Sequence, residues 1–123
     1  GLDMTRRDLQ ATAKARGNPW DLAKNVESGA VCGEIQPAAG QVLRNGEIVL
    51  RVNGEVRQRA DLSDMIWSIP EIIADLSSYY HLQPGDLIYT GTPEGVGPVR
   101  PGDRLEGSVQ GAGKIEFEIG QAE

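Results

Sequence analysis

The stretch EIVLRVNGEVRQR at residues 47–59 decides the fold, because apolar and polar residues alternate in it on both sides of Asn53-Gly54. The alternating apolar positions are Ile48, Leu50, Val52 and Val56. A period of two places such side chains on one face of a strand, and Asn-Gly is the strongest short-range signal for a two-residue hairpin turn. The sequence therefore predicts a β-hairpin from Glu47 to Arg59.

A second hairpin is predicted where Arg104–Val109 and Lys114–Ile119 alternate in the same way around Gly111-Ala112-Gly113. The 123 residues include 16 glycines and 7 prolines, and only 5% are aromatic. This composition favours many tight turns over a helical bundle. We therefore expect a single domain over residues 1–123 that is mainly β with a few short helices, an α+β fold.

The first helix is predicted from about Arg6 to Arg16. Thr5 followed by Asp8 is typical of a helix start, and Gly17 with Pro19 is typical of a stop. On this helix Arg7, Gln10 and Lys14 share one face, since they are spaced i, i+3 and i+7. The glycines and prolines from residue 29 to 40 break longer elements, so we expect a loop with a short strand there.

A further helical region follows the first hairpin. Asp61 with Asp64 indicates a turn of helix, and Pro70 suits the first position of a second helix. The apolar residues of the two segments are Met65, Ile66, Ile69, Ile72, Ile73 and Leu76. We expect these apolar faces to pack on the sheet.

Charge and composition exclude several classes of protein. Twelve basic and 18 acidic residues give a net charge of −6, which argues against a nucleic-acid partner. Cys32 is the only cysteine and cannot form an internal disulfide, and the lone His81 excludes His-rich zinc sites. We expect Cys32 in the core and His81 on the surface. No apolar run suits a bilayer, so we expect a cytoplasmic protein without a membrane partner.

Two polar residues near the start of the chain are candidates for chemistry. Lys24 lies among apolar neighbours, where desolvation could lower the pKa of its ammonium group and make it a useful acid or base. The alternative is a lysine that packs on Trp20 with its head in water. Asp3 precedes the first helix and suits either an ion pair with Arg7 or a metal ligand. The residues alone leave both alternatives open.

The glycine-rich loop Gly91–Gly97 follows a predicted strand, Leu87–Thr90. It lacks the GK[ST] ending of a phosphate-binding loop and does not lead into a helix, so a nucleotide site is not expected. The hydroxyls of Thr90 and Thr92, with backbone N–H groups such as that of Gly91, could bind a carboxylate. The alternative is a simple turn at the end of a strand.

Four linked motifs, taken together, resemble the C-terminal part of the fumarylacetoacetate hydrolase family. They are GLDMTRRDLQ at residues 1–10, GNPW at 17–20 with Lys24, VNGE at 52–55, and PGD at 84–86 with TGTPEGVGP at 90–98. Their order and spacing match those of the family over nearly the whole chain. Within the family, the chain is most similar to small acylpyruvate hydrolases, which include fumarylpyruvate hydrolases, and to enzymes described as oxaloacetate decarboxylases.

This resemblance implies a mixed β-roll, a homodimer, and a Mg²⁺ or Mn²⁺ ion held by three carboxylates, of which Asp3 would be one. Hard divalent ions prefer such oxygen ligands, and they stabilise the negative charge of an enolate. The resemblance also implies that Lys24 and Gln10 face a small dioxo-acid substrate and that Arg7 supports the site. Thr90, with Gly91 and Thr92, would bind the substrate carboxylate. The implied reaction is cleavage of an acylpyruvate, such as fumarylpyruvate, to pyruvate and a carboxylic acid.

The chain also departs from the family pattern. No residue here matches the family's two other metal-binding glutamates or the His-Glu pair of its lid, all of which would lie upstream. In addition, Gly1-Leu2-Asp3 resembles the middle of a strand. We therefore expect a missing N-terminal part. Val26-Glu27 and Ala30-Val31 replace residues that are usually an aromatic and a Cys-Pro or Ala-Pro pair. Two alternatives stay open: an oxaloacetate decarboxylase or dioxo-acid isomerase on the same metal site, and a truncated, non-catalytic structural or partner-binding member.

Overall fold

The computed structural model describes residues 1–121 and has the predicted fold class, mainly β with a few short helices. In chain order the elements are β1 (Leu2–Asp3), α1 (Arg7–Arg16), α2 (Asp21–Lys24), β2 (Ala30–Val31), β3 (Glu47–Val52), β4 (Glu55–Asp61), a 3₁₀ helix (Leu62–Asp64), α3 (Ile69–Ser77), β5 (Arg104–Val109) and β6 (Gly113–Glu118). The first helix, both hairpins and the short strand in the 29–40 region are thus confirmed.

The strands form two antiparallel sheets. One has four strands in the order β4-β3-β5-β6, and the other is the two-stranded ribbon β1-β2. The first hairpin turns at Asn53-Gly54, where both residues have positive φ angles of 52° and 81°. This geometry suits the right-handed twist of a hairpin and explains the Asn-Gly pair. Pairing of β3 with β5 joins the two hairpins into one sheet.

A β-bulge in β4 changes which side chains face inward. Leu50 pairs with Gln58 and Arg51 pairs with Val56, so Arg57 is the extra residue. Val56 therefore opposes a charged residue and is 42% exposed, whereas Gln58 is 8% exposed. The expectation that Val56 continues the inward apolar pattern is wrong, because the two-residue turn pairs Val56 with Arg51, which faces away from Leu50 and Val52. The bulge beyond Val56 then turns Gln58 inward.

The core lies on the face of the sheet that the ribbon covers. Leu105 and Val52 are paired neighbours on β5 and β3, and they are 1% and 6% exposed. The ribbon places Leu2 against Gly107 of β5, where a β-carbon would lie 3.3 Å from Leu2 Cδ1 and 3.0 Å from Ile115 Cγ2. Glycine at this position therefore lets the ribbon approach the sheet closely.

The helical region after β4 forms, but its apolar face is only partly covered. Asp61 and Asp64 cap the 3₁₀ helix, and Ser68 with Glu71 caps α3, which includes Pro70 in its first turn. Among the described residues, α3 has no buried side chain. Ile73 is 42% exposed, and Ile66 before the helix is 96% exposed. The prediction that these faces pack on the sheet is wrong for this part of the chain, because α3 buries no side chain and Ile66 lies almost wholly in solvent.

The predicted strand Leu87–Thr90 is also absent from the structure of residues 1–121, where this segment has no neighbouring strand. Leu87 is 54% exposed. The segment is attached through a side chain instead, since the hydroxyl of Tyr89 donates a hydrogen bond to the carbonyl oxygen of Val31 at 3.1 Å. Because the Leu87–Thr90 segment has no partner strand, its backbone N–H and C=O groups cannot form inter-strand hydrogen bonds. Within the described range, no helix has the length and apolar character that crossing a membrane requires.

Candidate active site

A cleft of about 950 Å³ is lined by the N-terminal arm (residues 1–33, which contain β1, α1, α2 and β2) and by the covered face of the four-stranded sheet. Side chains of the arm contribute most of its charge, and the glycine-rich loop Gly91–Gly97 contributes part of its wall. The predicted site residues that line the cleft are Asp3, Arg7, Gln10, Lys24, Gly91 and Thr92. The structure thus brings together residues from both ends of the chain.

Lys24 is the centre of the polar contacts in the arm. Its Nζ donates to Asp3 Oδ1 at 2.5 Å and to Thr5 Oγ1 at 3.0 Å. The Lys24 and Asp3 side chains are 37% and 52% exposed, so the pair faces the cleft and is not buried in the core. An ammonium group has three protons. Two are used in these bonds, which leaves the third for a group in the cleft.

The backbone of the arm explains why Lys24 reaches Asp3, 21 residues away in sequence. The N–H of Arg6 donates to the carbonyl oxygen of Ala23 at 3.0 Å, and the N–H of Met4 donates to that of Gly29 at 2.7 Å. Ala23 is only 1% exposed and anchors α2 next to β1. These bonds on either side of Lys24 hold its side chain over the end of β1.

One expectation about this arm needs correction. Thr5 does not cap α1, because the N-cap residue is Arg6 and makes no side-chain capping bond. The Thr5 hydroxyl accepts from Lys24 instead. The ammonium group of Lys14, not that of Lys24, lies over the Trp20 ring, with Nζ 4.6 Å from the ring centroid. The head of Lys24 is held by Asp3 and Thr5.

The shared face of α1 is confirmed by a direct contact. Arg7 Nη1 donates to Gln10 Oε1 at 3.2 Å in the first turns of the helix. The amide oxygen of Gln10 is occupied in this way, so its NH₂ group is turned away from Arg7. An NH₂ group has two donors. Gln10 lines the cleft, and these donors could bind a ligand there.

The glycine-rich loop meets the cleft through its first residues. Gly91 and Thr92 line the cleft, whereas Thr90 is exposed and is not among its lining residues. The Thr92 hydroxyl accepts a hydrogen bond from Gln58 Nε2 at 2.7 Å, and the carbonyl oxygen of Pro93 accepts one at 2.6 Å. The arrangement places one of the two predicted threonine hydroxyls at the cleft.

Gln58 and Tyr89 line the cleft and were missed by sequence reasoning. Gln58 faces inward only because of the bulge, and no local pattern signals it. Tyr89 lies beside Cys32 and Asp3, and desolvation, with smaller contributions from these two groups, raises the pKa of its phenol. The phenol therefore stays protonated and keeps its bond to Val31. The bulky Tyr89 within the apolar Leu87–Thr90 stretch was the available signal.

The structure contradicts the predicted position of Cys32 and confirms that of His81. Cys32 is exposed and lines the cleft, so the expectation of a core position is wrong. It follows β2, and the two-residue strand is too short to bury it. His81 is exposed beyond the end of α3, as expected, and is not among the cleft residues.

The described residues do not form a complete divalent-metal site. Residues 1–121 contain no group of three His, Cys, Asp or Glu side chains close enough to hold an ion. Asp3 uses Oδ1 for Lys24, and within the same range its Oδ2 accepts no hydrogen bond. A carboxylate oxygen of this kind suits Mg²⁺ or Mn²⁺. The chemistry of Asp3 therefore fits one ligand of such an ion, and residues 1–121 hold no complete set of ligands.

Comparison with known proteins decides the family. A model of the fumarylacetoacetate (FAA) hydrolase C-terminal domain matches residues 1–120. The chain belongs to the fumarylacetoacetate hydrolase family. It is 57% identical to a fumarylpyruvate hydrolase of a Ralstonia species, over all of this chain and 64% of that protein. It is 42% identical to a mitochondrial oxaloacetate tautomerase of Oryza sativa subsp. japonica, over 96% of this chain and 52% of that protein.

A solved structure of this family matches the fold closely. The crystal structure of fumarylpyruvate hydrolase from Pseudomonas aeruginosa in complex with Mn²⁺ and pyruvate has a TM-score of 0.91 and is 42% identical, covering 98% of this chain and 52% of that one. The chain thus spans about half to two thirds of the length of these relatives. Relatives of the chain are therefore hydrolases and tautomerases of one family.

Two departures from the family pattern lie close to Asp3. Ala30 and Val31 form β2, in which Ala30 pairs with Asp3 and Val31 pairs with Leu2. The carbonyl oxygen of Val31 is also the acceptor for Tyr89. The substitutions at these positions therefore belong to the strand beside the proposed ligand. Neither residue is among those that line the cleft.

Proposed function

We propose that this chain forms the lysine-bearing part of a Mg²⁺- or Mn²⁺-dependent hydrolase that cleaves an acylpyruvate, such as fumarylpyruvate, to pyruvate and a carboxylic acid. The observation that carries the proposal is the contact of Lys24 Nζ with Asp3 and Thr5 in a cleft that Gln10 and Thr92 also line. A chain 57% identical to a fumarylpyruvate hydrolase supports the substrate class.

The charges of the cleft suit a dioxo acid. Its cationic lining includes Arg7 and Lys24, which attract a carboxylate. The donor groups of Gln10 and the free proton of Lys24 suit the keto oxygens of the substrate. Thr92 offers a hydroxyl for the carboxylate. Together they would orient the bond between C3 and C4, which water breaks to give pyruvate and the acid.

Lys24 is proposed to act as an acid-base catalyst in this reaction. Hydrolysis adds the water hydroxyl to the acyl carbon C4 and leaves the electrons of the broken bond on the pyruvate fragment, which then takes a proton at C3. The Lys24 ammonium lies in the cleft and is held by Asp3 and Thr5, so it can hold a proton at Nζ for the substrate. When bound with Asp3 as one ligand, a divalent ion would stabilise the negative charge that develops on the substrate oxygens.

The proposed function is tested with the natural full-length form of the protein. We expect fumarylpyruvate to be converted to equal amounts of pyruvate and fumarate in the presence of Mn²⁺, as measured by proton NMR. Removal of the ion with EDTA should abolish turnover, and added Mn²⁺ should restore it. A folded protein that leaves fumarylpyruvate unchanged with Mn²⁺ would contradict the proposal.

An oxaloacetate tautomerase is the second candidate, because the chain is 42% identical to one from rice. Tautomerisation moves a proton between carbon and oxygen and needs no water, so the same lysine suits it. Incubation with enol-oxaloacetate separates the two reactions. Faster keto formation without cleavage of fumarylpyruvate would favour the tautomerase, and release of CO₂ would indicate a decarboxylase.

The remaining partner predictions are also proposals. We propose a homodimer with a small-molecule substrate and without nucleic-acid or membrane partners, and a cytoplasmic location stays a prediction. A non-catalytic role predicts no turnover of either substrate. Size-exclusion chromatography with light scattering tests the dimer.

A further inference from the structure

Gln58 is the only buried polar side chain among the described residues, and it lies where the sheet meets the glycine-rich loop Gly91–Gly97. Its amide nitrogen donates to Thr92 Oγ1 at 2.7 Å and to the carbonyl oxygen of Pro93 at 2.6 Å. A buried amide is costly unless its donors are used, and here both protons have an acceptor. The loop is thus attached to β4 by the neutral amide of Gln58, both of whose N–H groups donate to the loop.

The orientation of the amide follows from its partners. The carbonyl oxygen of Pro93 can only accept a hydrogen bond, so the nitrogen end of the Gln58 amide must face the loop. The Thr92 hydroxyl therefore acts as the acceptor in its bond with Gln58. Its own proton must point elsewhere. Since Thr92 lines the cleft, that proton is available to a group bound there.

The backbone around Gln58 supports the same arrangement. The bulge at Arg57 turns Gln58 inward, and it brings the Arg57 carbonyl oxygen close to Gly95. A β-carbon on Gly95 would clash with that oxygen, and the φ angle of Gly95 is +98°. Glycine is therefore required for the loop to lie against β4. The bulge and the glycine place Thr92 within reach of the Gln58 amide.

We propose that Gln58 is a positioning residue that holds the Gly91–Gly97 loop against β4 and directs the hydroxyl proton of Thr92 into the cleft, where it donates to a substrate carboxylate. The inference rests on the proposed function, since it assigns a carboxylate ligand to this site. It adds Gln58 as the residue that makes the Thr92 hydroxyl an acceptor towards β4 and a donor towards the cleft. Gln58 itself acts through Thr92 and not on the substrate.

The variant Gln58→Glu directly tests the direction of the hydrogen bond between residue 58 and Thr92. The introduced carboxylate has nearly the same shape but can only accept, so Thr92 would donate to it instead of to the ligand. We expect the KM for fumarylpyruvate and the inhibition constant of pyruvate to rise by about tenfold or more, the size of one lost hydrogen bond to a charged group. We expect kcat to change by less than about threefold, since the reacting atoms keep their partners. Gln83→Glu, an exposed position outside the cleft, adds the same charge as a control.

Thr92→Val is the second variant, because it keeps the shape and removes the hydroxyl. It should raise the pyruvate inhibition constant by a similar factor, and Gln58→Glu should add little to it in the double variant. Unchanged pyruvate binding in folded Thr92→Val or Gln58→Glu protein would overturn the inference. So would a fall in kcat with KM unchanged. A wild-type protein that neither cleaves fumarylpyruvate nor binds pyruvate would instead contradict the proposed function.

Discussion

The four-stranded sheet and the N-terminal arm are built in different ways. The sheet joins consecutive hairpins through backbone pairs, and it contains the most buried apolar residues, among them Leu105 and Val52. The arm has short elements, and long-range polar bonds such as that from Lys24 to Asp3 fix its side chains. The sheet therefore accounts for stability, and the arm carries exposed charge that a ligand can use.

The comparison implies that damage to the two regions has different consequences. A change in the sheet should lower the free energy of unfolding, because the lost contacts are buried. A change at the Lys24–Asp3 pair should lower activity with little effect on unfolding, because an exposed ion pair contributes only about 0–1 kcal/mol. A substitution at the Lys24–Asp3 pair that lowered stability as much as activity would contradict this division between the two regions.

The largest effect is expected for Leu105→Ala in β5. Leu105 is 1% exposed, so truncation leaves a cavity in the core and should lower the free energy of unfolding by about 2–5 kcal/mol. Urea unfolding measures this change. Val56→Ala in the same sheet is the control, since Val56 is 42% exposed and should cost clearly less. Equal losses in the two variants would contradict the assigned core.

Lys24→Ala should have the largest effect on chemistry. Loss of acid-base catalysis is expected to lower kcat for fumarylpyruvate by about 100-fold or more, which corresponds to about 2.7 kcal/mol in the activation barrier. The midpoint of urea unfolding should stay near that of the wild type. Arg16→Ala is the control, because Arg16 is an exposed basic residue that does not line the cleft. Turnover at the wild-type rate after loss of Lys24 would remove its proposed role.

Acid should weaken the turns that support the sheet. Hydrogen bonds from Ser63 lower the pKa of Asp61, and bonds from Asn53 and Arg100 lower that of Asp103, relative to the ordinary value of 3.8. The unfolded chain therefore takes up these protons first as the pH falls. Their contribution to stability is complete above about pH 4 and is lost as the pH falls through the lower folded values.

Thermal unfolding between about pH 6 and pH 2 measures this loss. Asp61→Asn with Asp103→Asn should reduce the dependence on pH in the acid range. Asp75→Asn on α3 is a matched control, since within residues 1–121 the Asp75 carboxylate accepts no hydrogen bond. An acid profile that is identical in the double variant and the wild type would show that these turns do not contribute.

The smallest effect is expected at the surface pair of Arg59 and Glu47. The two groups lie 3.2 Å apart, and both side chains are 55% exposed. Glu47→Gln should change the free energy of unfolding by about 0–1 kcal/mol, and less so at high salt. Urea unfolding at two salt concentrations measures it. A loss comparable to that of Leu105→Ala would mean that the outer face of the sheet is not solvated.

Local patterns were sufficient to predict the two hairpins of the sheet but not the pairing of β3 with β5. The alternation around Asn53-Gly54 is a property of neighbouring residues, and the hairpin has the predicted location. The inward position of Gln58 was not predictable, because it depends on a bulge that only the pairing of two strands defines. Likewise, the apolar face of α3 indicates that it needs a partner but not which surface provides one.

The candidate site was predicted in a different way. Residue chemistry alone left Lys24 and Asp3 open between structural and functional roles, and the resemblance to the family supplied their assignment. The structure adds the contact between them and the position of Thr92 in the cleft. Thr5 and Tyr89 were missed because their partners, Lys24 and Val31, are distant in sequence. Such contacts depend on the tertiary arrangement of segments that are distant in sequence.

The central claim, that these residues carry the chemistry of an acylpyruvate hydrolase, is tested most directly by a chimera. Residues 1–123 replace the matching segment of the Ralstonia fumarylpyruvate hydrolase, to which they are 57% identical. We predict that the chimera releases pyruvate from fumarylpyruvate with Mn²⁺ at a rate within about tenfold of the parent, or 1.4 kcal/mol in the barrier. A chimera that folds and assembles like the parent but releases no pyruvate would contradict the claim.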